Sequence, residues 1–275
     1  MPSAYVINNA AAALVAGNFY ETSYFADPTQ RLLLIDGRMD KQVQFVADNI
    51  EIFIDFGAAV SLTGFALLNH NLADIGGGSV TIQGATDAAI TTSVVTAKAT
   101  TTINPNAPRH RDAVLQFAAV SKRYWRVFIE LNTPANALKL GELLPYVAST
   151  QLTRGYTDGS SEPEEIISVG VQAMYGERRD AFMAGPMRHK RMRFQDYTTA
   201  QAEELKTMWR ATRGPVSPLL WIESYEAVST AAAAAQQDCI YGNLELQTFE
   251  AAYTDYDLVQ PPELIIKQKG RGVGQ

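Results

Sequence analysis

The sequence is poor in the residues that build reactive centres. It holds one cysteine, Cys239, and three histidines, His70, His110 and His189, among 275 residues. A lone cysteine excludes an intramolecular disulfide and any multi-cysteine metal site. Next to Ile240 it reads as a buried thiol, and its singleness suits assembly in a reducing cytoplasm. The histidines lie far apart with no His-x-x-x-His pair, so no histidine-based metal centre is expected. Positive charge is not in excess either. The net charge of −6 and pI of about 5.2 argue against a nucleic-acid binder that relies on bulk basicity. No apolar run approaches the roughly 18–20 residues needed to span a bilayer. Ala10–Ala16 is uninterrupted apolar, but no Lys or Arg precedes Arg31, so the positive start of a secretion signal is missing. No membrane insertion is expected.

What is present is a core. Hydrophobic residues make up 47% and charged residues 19%, a balance that supports folded units, not wholesale disorder. In Ile50–Gly57, Ile50, Ile52, Ile54 and Phe56 alternate with Glu51 and Asp55, the period of a half-buried strand. Gly57-Ala58-Ala59 reads as a turn into a second apolar run, Val60–Leu68, ending in the turn-forming Asn69-His70-Asn71. Further strands are expected at Ser79–Gly84, after Gly76-Gly77-Gly78, at Ala113–Phe117, and at Arg123–Leu131. The threonine-rich stretch between Ile90 and Asn106 reads as an edge strand and loop.

This series resembles the discoidin-like (coagulation factor 5/8 type C, galactose-binding-like) β-sandwich. The elements that carry the resemblance are Ile52–Gly57, Leu68–Asn71, Val80–Asp87 and Arg123–Ile129, with Asp36-Gly37 upstream. Gln44-Phe45 stands where that family has a tryptophan. The match covers about residues 20–145 and implies a jelly-roll sandwich.

After Leu143-Leu144-Pro145-Tyr146 the character changes, and the boundary is placed near Val147. This gives a sandwich unit over 1–147 and a β-rich unit with one principal helix over 148–275. The helix is expected at 199–212. Thr198 and Gln201 form a capping box, and Ala202, Leu205, Met208, Trp209 and Thr212 share a stripe, with Gly214 and Pro215 closing it. Met187–Phe194 reads as an alternating strand, and Pro218–Ile222 and Ile240–Leu244 as buried strands. Ala231–Ala235 reads as a loop insertion.

The second half resembles the C-terminal part of distal-tail or tail-tip proteins of long-tailed bacteriophages. It does so through Arg191–Phe194, Ala202–Leu205, Gly214 with Pro218–Ile222, and Cys239–Leu244. The resemblance implies a structural virion protein of the tail, made and assembled in the host cytoplasm. Its partners would be copies of itself in a ring and the tail tube, tape-measure and hub proteins.

Site residues follow from these readings. The basic strand (Arg188, Lys190, Arg191, Arg193) and the acidic turn (Asp158, Glu162, Glu164, Glu165) are the candidate subunit contact, meeting across a head-to-tail interface. The alternative is a carbohydrate-binding module that adsorbs to a host-surface glycan, with Asn69, His70, Asn71, Asp74 and Asp87 as the candidate loop set. Leu72–Gly78 and Ala85–Thr92 hold no aromatic side chain for sugar stacking, which weighs toward the structural role. No nucleophile, base and metal set assembles in the sequence, so neither a cofactor nor catalysis is expected.

Overall fold

The computed structural model describes residues 4–6, 18–20, 24–35, 41–103, 112–133, 137–156, 164–172, 178–223, 239–253 and 258–268. Over 164–172 and 178–188 the backbone alone is described. In chain order the first half contains β1 (Ala4–Val6), a 3-10 helix (Pro28–Leu34), β2 (Val43–Gln44), β3 (Asn49–Leu68), β4 (Gly78–Ala85), β5 (Val95–Ile103), β6 (Ala113–Leu131), β7 (Lys139–Leu140) and β8 (Glu142–Tyr146). The second half contains β9 (Thr150–Gln151), β10 (Glu164–Gln172), β11 (Arg178–Met192), β12 (Tyr197–Thr198), α1 (Thr199–Ala211), β13 (Leu219–Ile222), β14 (Cys239–Leu244), β15 (Ala252–Tyr253), β16 (Leu258–Gln260) and β17 (Leu264–Gln268). The chain is mainly β, with antiparallel pairing throughout, and has one principal α-helix among the described residues.

Two long strands organise the first half. β3 and β6 pair along most of their length in a five-stranded sheet ordered β5-β4-β6-β3-β8. Gly57 does not turn the chain out of the sheet, as its sequence suggests. It takes φ +76 inside a register shift between Asp55 and Val60, and β3 runs on unbroken. A glycine tolerates that left-handed backbone, so the irregularity bends the strand without ending it. The second half of the sheet thereby folds back over the first. Trp125, opposite Ile54, lies 5.8 Å from Phe65 and 5.9 Å from Phe117, ring centre to ring centre. One layer contributes Ile50, Ile52, Ile54, Val80, Ile82, Val127 and Ile129 to the enclosed core. The other contributes Leu62, Phe65, Leu67, Leu115, Phe117 and Leu143. This is a jelly-roll-like sandwich. β5 stands at its edge, where the threonine-rich stretch is expected.

A seven-stranded sheet, ordered β10-β11-β17-β14-β13-β1-β9, organises the second half. Its first surprise is β1. Ala4–Val6, which the sequence assigns to the sandwich unit, pairs with Leu220–Ile222 of β13. One face of this sheet receives α1 through Leu205 and Met208, packed with Trp221, Ile240, Leu264 and Ile266. Thr198 caps the helix as expected. Its hydroxyl accepts from Gln201 N, and the Gln201 side chain accepts from Thr198 N.

The other face packs on the sandwich. Val6, Leu220, Ile222, Cys239 and Tyr241 meet Ala66, Leu68, Val114, Leu144 and Tyr146 in one buried cluster. Phe65-Ala66-Leu67-Leu68 and Leu219-Leu220-Trp221-Ile222 are therefore buried on both faces. Their unbroken hydrophobicity is what such strands require. Cys239 is buried in this layer and is not part of a disulfide.

Candidate functional site

The loop after β3 is a clasp. Asn69 and His70 are buried, at 0% and 1% exposure, and Asn69 adopts φ +53. Asn69 N donates to Asp112 Oδ1 at 2.8 Å, and Asn69 O accepts from Gln42 Nε2 at 2.7 Å. The Asn71 amide donates to Ala137 O at 3.0 Å and accepts from Lys139 N at 2.7 Å. These bonds hold loop backbone that would otherwise be orphaned. Asp112 Oδ2 also accepts from Gln268 Nε2 at 3.2 Å, which ties the clasp to the last strand of the second sheet. Asp74 is exposed on the same loop. Asp87 follows the opposite end of β4, about 20 Å or more away at some 3.3 Å per strand residue. There it accepts from Thr91 N and Thr92 N. Partial desolvation pushes its carboxyl up, but these donors outweigh that and hold it below the usual range. The five residues of the expected glycan loop therefore do not converge.

The expected subunit-contact set also divides. Asp158 and Glu162 lie outside the described residues. Glu164 and Glu165 begin β10, opposite Arg188 and Met187 of the same chain. Glu164 and Arg188, one from each half of the set, are thus cross-strand partners within one molecule. Lys190 is a correction: it is 5% exposed and forms an ion pair with Glu223, with Tyr156 Oη 3.2 Å from its Nζ. An ammonium in that position stays buried because both partners are close. Arg191 and Arg193 remain on the surface, and Arg193 Nε is 3.2 Å from Glu263 Oε1.

Beyond the sheet, β11 changes partner. Its first part pairs with β10 from Gln172↔Arg178 to Glu164↔Arg188, and only His189–Met192 pair with β17. Among the described residues, β10 pairs with β11 alone, so the two form a ribbon that continues past the sheet.

Two features escape sequence reading. On the solvent face of the sandwich, Tyr20 lies 5.4 Å from Phe53 and 6.1 Å from Tyr124. Arg123 clamps Asp55 with two bonds of 2.7 and 2.9 Å. That contact holds the Asp55 carboxyl below the usual carboxylate range. The second feature is a cavity of about 300 Å³ lined by Thr63, Gln116, Phe117, Ala118, Ala119, Ala148 and Ser149. Between Leu62↔Val120 and Gly64↔Gln116, one residue of β3 faces three of β6, and the bulge opens the space. The available signal is the break in alternation at Phe117-Ala118-Ala119-Val120. A larger cleft of about 600 Å³ beside the 3-10 helix is lined by Thr29, Gln30, Leu32, Leu33, Lys41 and Gln42. Among the described residues, no group of three or more His, Cys, Asp or Glu side chains could hold a metal ion.

No family model matches the chain, and no curated protein does. Among solved structures, those similar to this chain include carbohydrate-binding modules. One is the CBM32 module of AlyQ in complex with 4,5-unsaturated mannuronic acid, at 18% identity and TM-score 0.34, covering 42% of this chain and 85% of that one. Another is chitosan-binding module 1 of a Paenibacillus sp. IK-5 chitosanase/glucanase, at 18% and 0.33, covering 47% and 89%. A third is a Clostridium perfringens CBM32 module in complex with GalNAc-β-1,3-galactose, at 10% and 0.32, covering 42% and 81%.

Proposed function

We propose that the chain is a non-catalytic structural protein of a long-tailed bacteriophage tail. It would be placed at the distal end and work in a ring through contacts with copies of itself and with tube, tape-measure and hub proteins. The observation that supports this reading is the β10–β11 ribbon. A two-stranded ribbon is marginal by itself in water, and its open edges offer backbone donors and acceptors to another strand. A neighbouring copy would complete it.

The test removes the ribbon at a natural seam. Glu165 and Met187 are cross-strand partners, so a Gly-Ser turn joining them deletes the arm and keeps His189–Met192 in the sheet. The full chain should sediment as a discrete oligomer, and the deleted chain as a monomer with the same melting temperature. A full chain that stays monomeric at every concentration, or a deleted chain that still forms the ring, rejects the reading.

A second reading, a carbohydrate-binding unit that adsorbs to a host-surface glycan, is favoured by one observation: the cavity at the β3–β6 bulge, whose lining among the described residues is uncharged. It does not draw on Asn71, whose side chain is spent on the clasp, or on Asn69 and His70, which are buried in it.

A further inference from the structure

The cavity at the bulge contains polar groups that the fold leaves unanswered. Gln116 is 4% exposed, and its Nε2 has no hydrogen-bond partner; the buried Thr63 Oγ1 has none either. Both line the cavity. Buried polar atoms are normally paired, and leaving one unpaired costs as much as the lost hydration. A sequence selected only for stability would place an apolar side chain at 116. The position is also held firmly. Gln116 O accepts from Nζ of the fully buried Lys98 at 3.0 Å, which pins the strand at the start of the bulge. Gly64, opposite Gln116, has no room for a Cβ, which would lie 2.1 Å from Tyr146 Oη. Gln116 shares the face of Val114 and Tyr146, so the cavity opens at the rim of the layer where the two sheets pack. Junctions of this kind are common locations for ligand sites, and about 300 Å³ is at the lower end of their size range.

The lining fixes the chemistry of the occupant. Among the described residues, no charged side chain lines the cavity, so an ionised ligand would lose hydration without gaining a counter-charge from them. A primary amide offers two donors, and the Thr63 and Ser149 hydroxyls both donate and accept. Exposed Ala118, Ala119 and Ala148 supply small apolar surface at the mouth. We infer that this cavity binds one neutral, hydroxyl-rich ring, a single sugar unit, with Gln116 and Thr63 as the residues that bond to it. The inference rests on the carbohydrate-binding reading for its ligand class and adds to it the site.

The test uses the full chain with the methyl glycosides of glucose, galactose and N-acetylglucosamine, read by saturation-transfer NMR, with glucuronate as the charged control. Two variants accompany it. Ala119→Trp fills the mouth from an exposed position, and Gln116→Leu removes the unpaired donors. The expected result is that wild type binds at least one neutral glycoside, glucuronate binds more weakly, and each variant loses affinity by about tenfold or more. Gln116→Leu should melt at or above the wild-type temperature, because it removes an unanswered buried group. A Gln116→Leu chain that unfolds shows that the amide serves the fold and overturns the assignment. If wild type binds a glycoside and Ala119→Trp binds it equally well, the site is wrong while the carbohydrate-binding reading stands. If no glycoside binds wild type, the cavity holds ordered water alone and both fall.

Discussion

The two outer faces of the sandwich make a controlled comparison, because the same two strands supply both. At one end of β3, Glu51, Phe53 and Asp55 face water beside Tyr124 and Arg126 of β6. At the other end, Ala66 and Leu68 face the second sheet beside Val114 of β6 and Leu144 of β8. The first face keeps a strict alternation, and the second loses it. A strand of twenty residues thus changes its surroundings halfway along, at the irregularity near Gly57. A break in period along one strand therefore marks a change in what covers it, not the end of the element.

The sharpest contrast between covered and wetted surface is expected from ion pairs. Lys190→Met leaves Glu223, at 8% exposure, without its counter-charge, and should cost about 3–5 kcal/mol in urea unfolding. A loss below about 1 kcal/mol would mean that water reaches the pair. On the apolar side, Leu68→Ala removes a fully buried side chain from the layer between the sheets and should cost about 2–5 kcal/mol. If it behaves like a surface change, within about 0.5 kcal/mol, the two sheets do not pack as described. The smallest effect belongs to the wetted face. Arg123→Ala breaks the Asp55 clamp at a guanidinium that is 44% exposed, and should destabilise the chain least of the three, because solvent screens the pair. Because Asp55 is held below its ordinary 3.8, that contribution is present above pH 3.8 and disappears as pH falls through the lowered value. A double-mutant cycle with Asp55→Ala, repeated at low pH, checks both magnitude and sign.

What the sequence made legible was local. The alternation in Ile50–Phe56, the edge strand in the threonine-rich stretch and the Thr198–Gln201 cap each depend on neighbours a few residues away, and each is present in the structure. The helix stripe is buried at Ala202, Leu205 and Met208, while Trp209 stays partly exposed and donates from Nε1 to Leu246 O at 2.9 Å. What depended on remote partners was not legible. Lys190 reads as a surface charge because Glu223 and Tyr156 are far off in sequence. Gln116 reads as an ordinary strand residue because a bulge is a property of two strands in register. The glycan set divides for the same reason: Asp87 is near Asp74 in sequence, but a strand carries it to the other end of the sheet.

The position of β1 has a consequence for how the protein is made. Ala4–Val6 precedes the whole sandwich in the chain, yet its neighbours in the sheet are β9 and β13, and both of these follow the sandwich. The sandwich can close during synthesis, since its strands are consecutive. β1 must wait, tethered to a finished unit, until the rest of its sheet arrives. Pairings of such separation form late, because the chain between them has to be ordered before they contribute. Folding would then finish by joining the strand before the sandwich to strands that follow it. A rapid, partial phase should be followed by a slower one that a covalent block on Tyr5 would abolish.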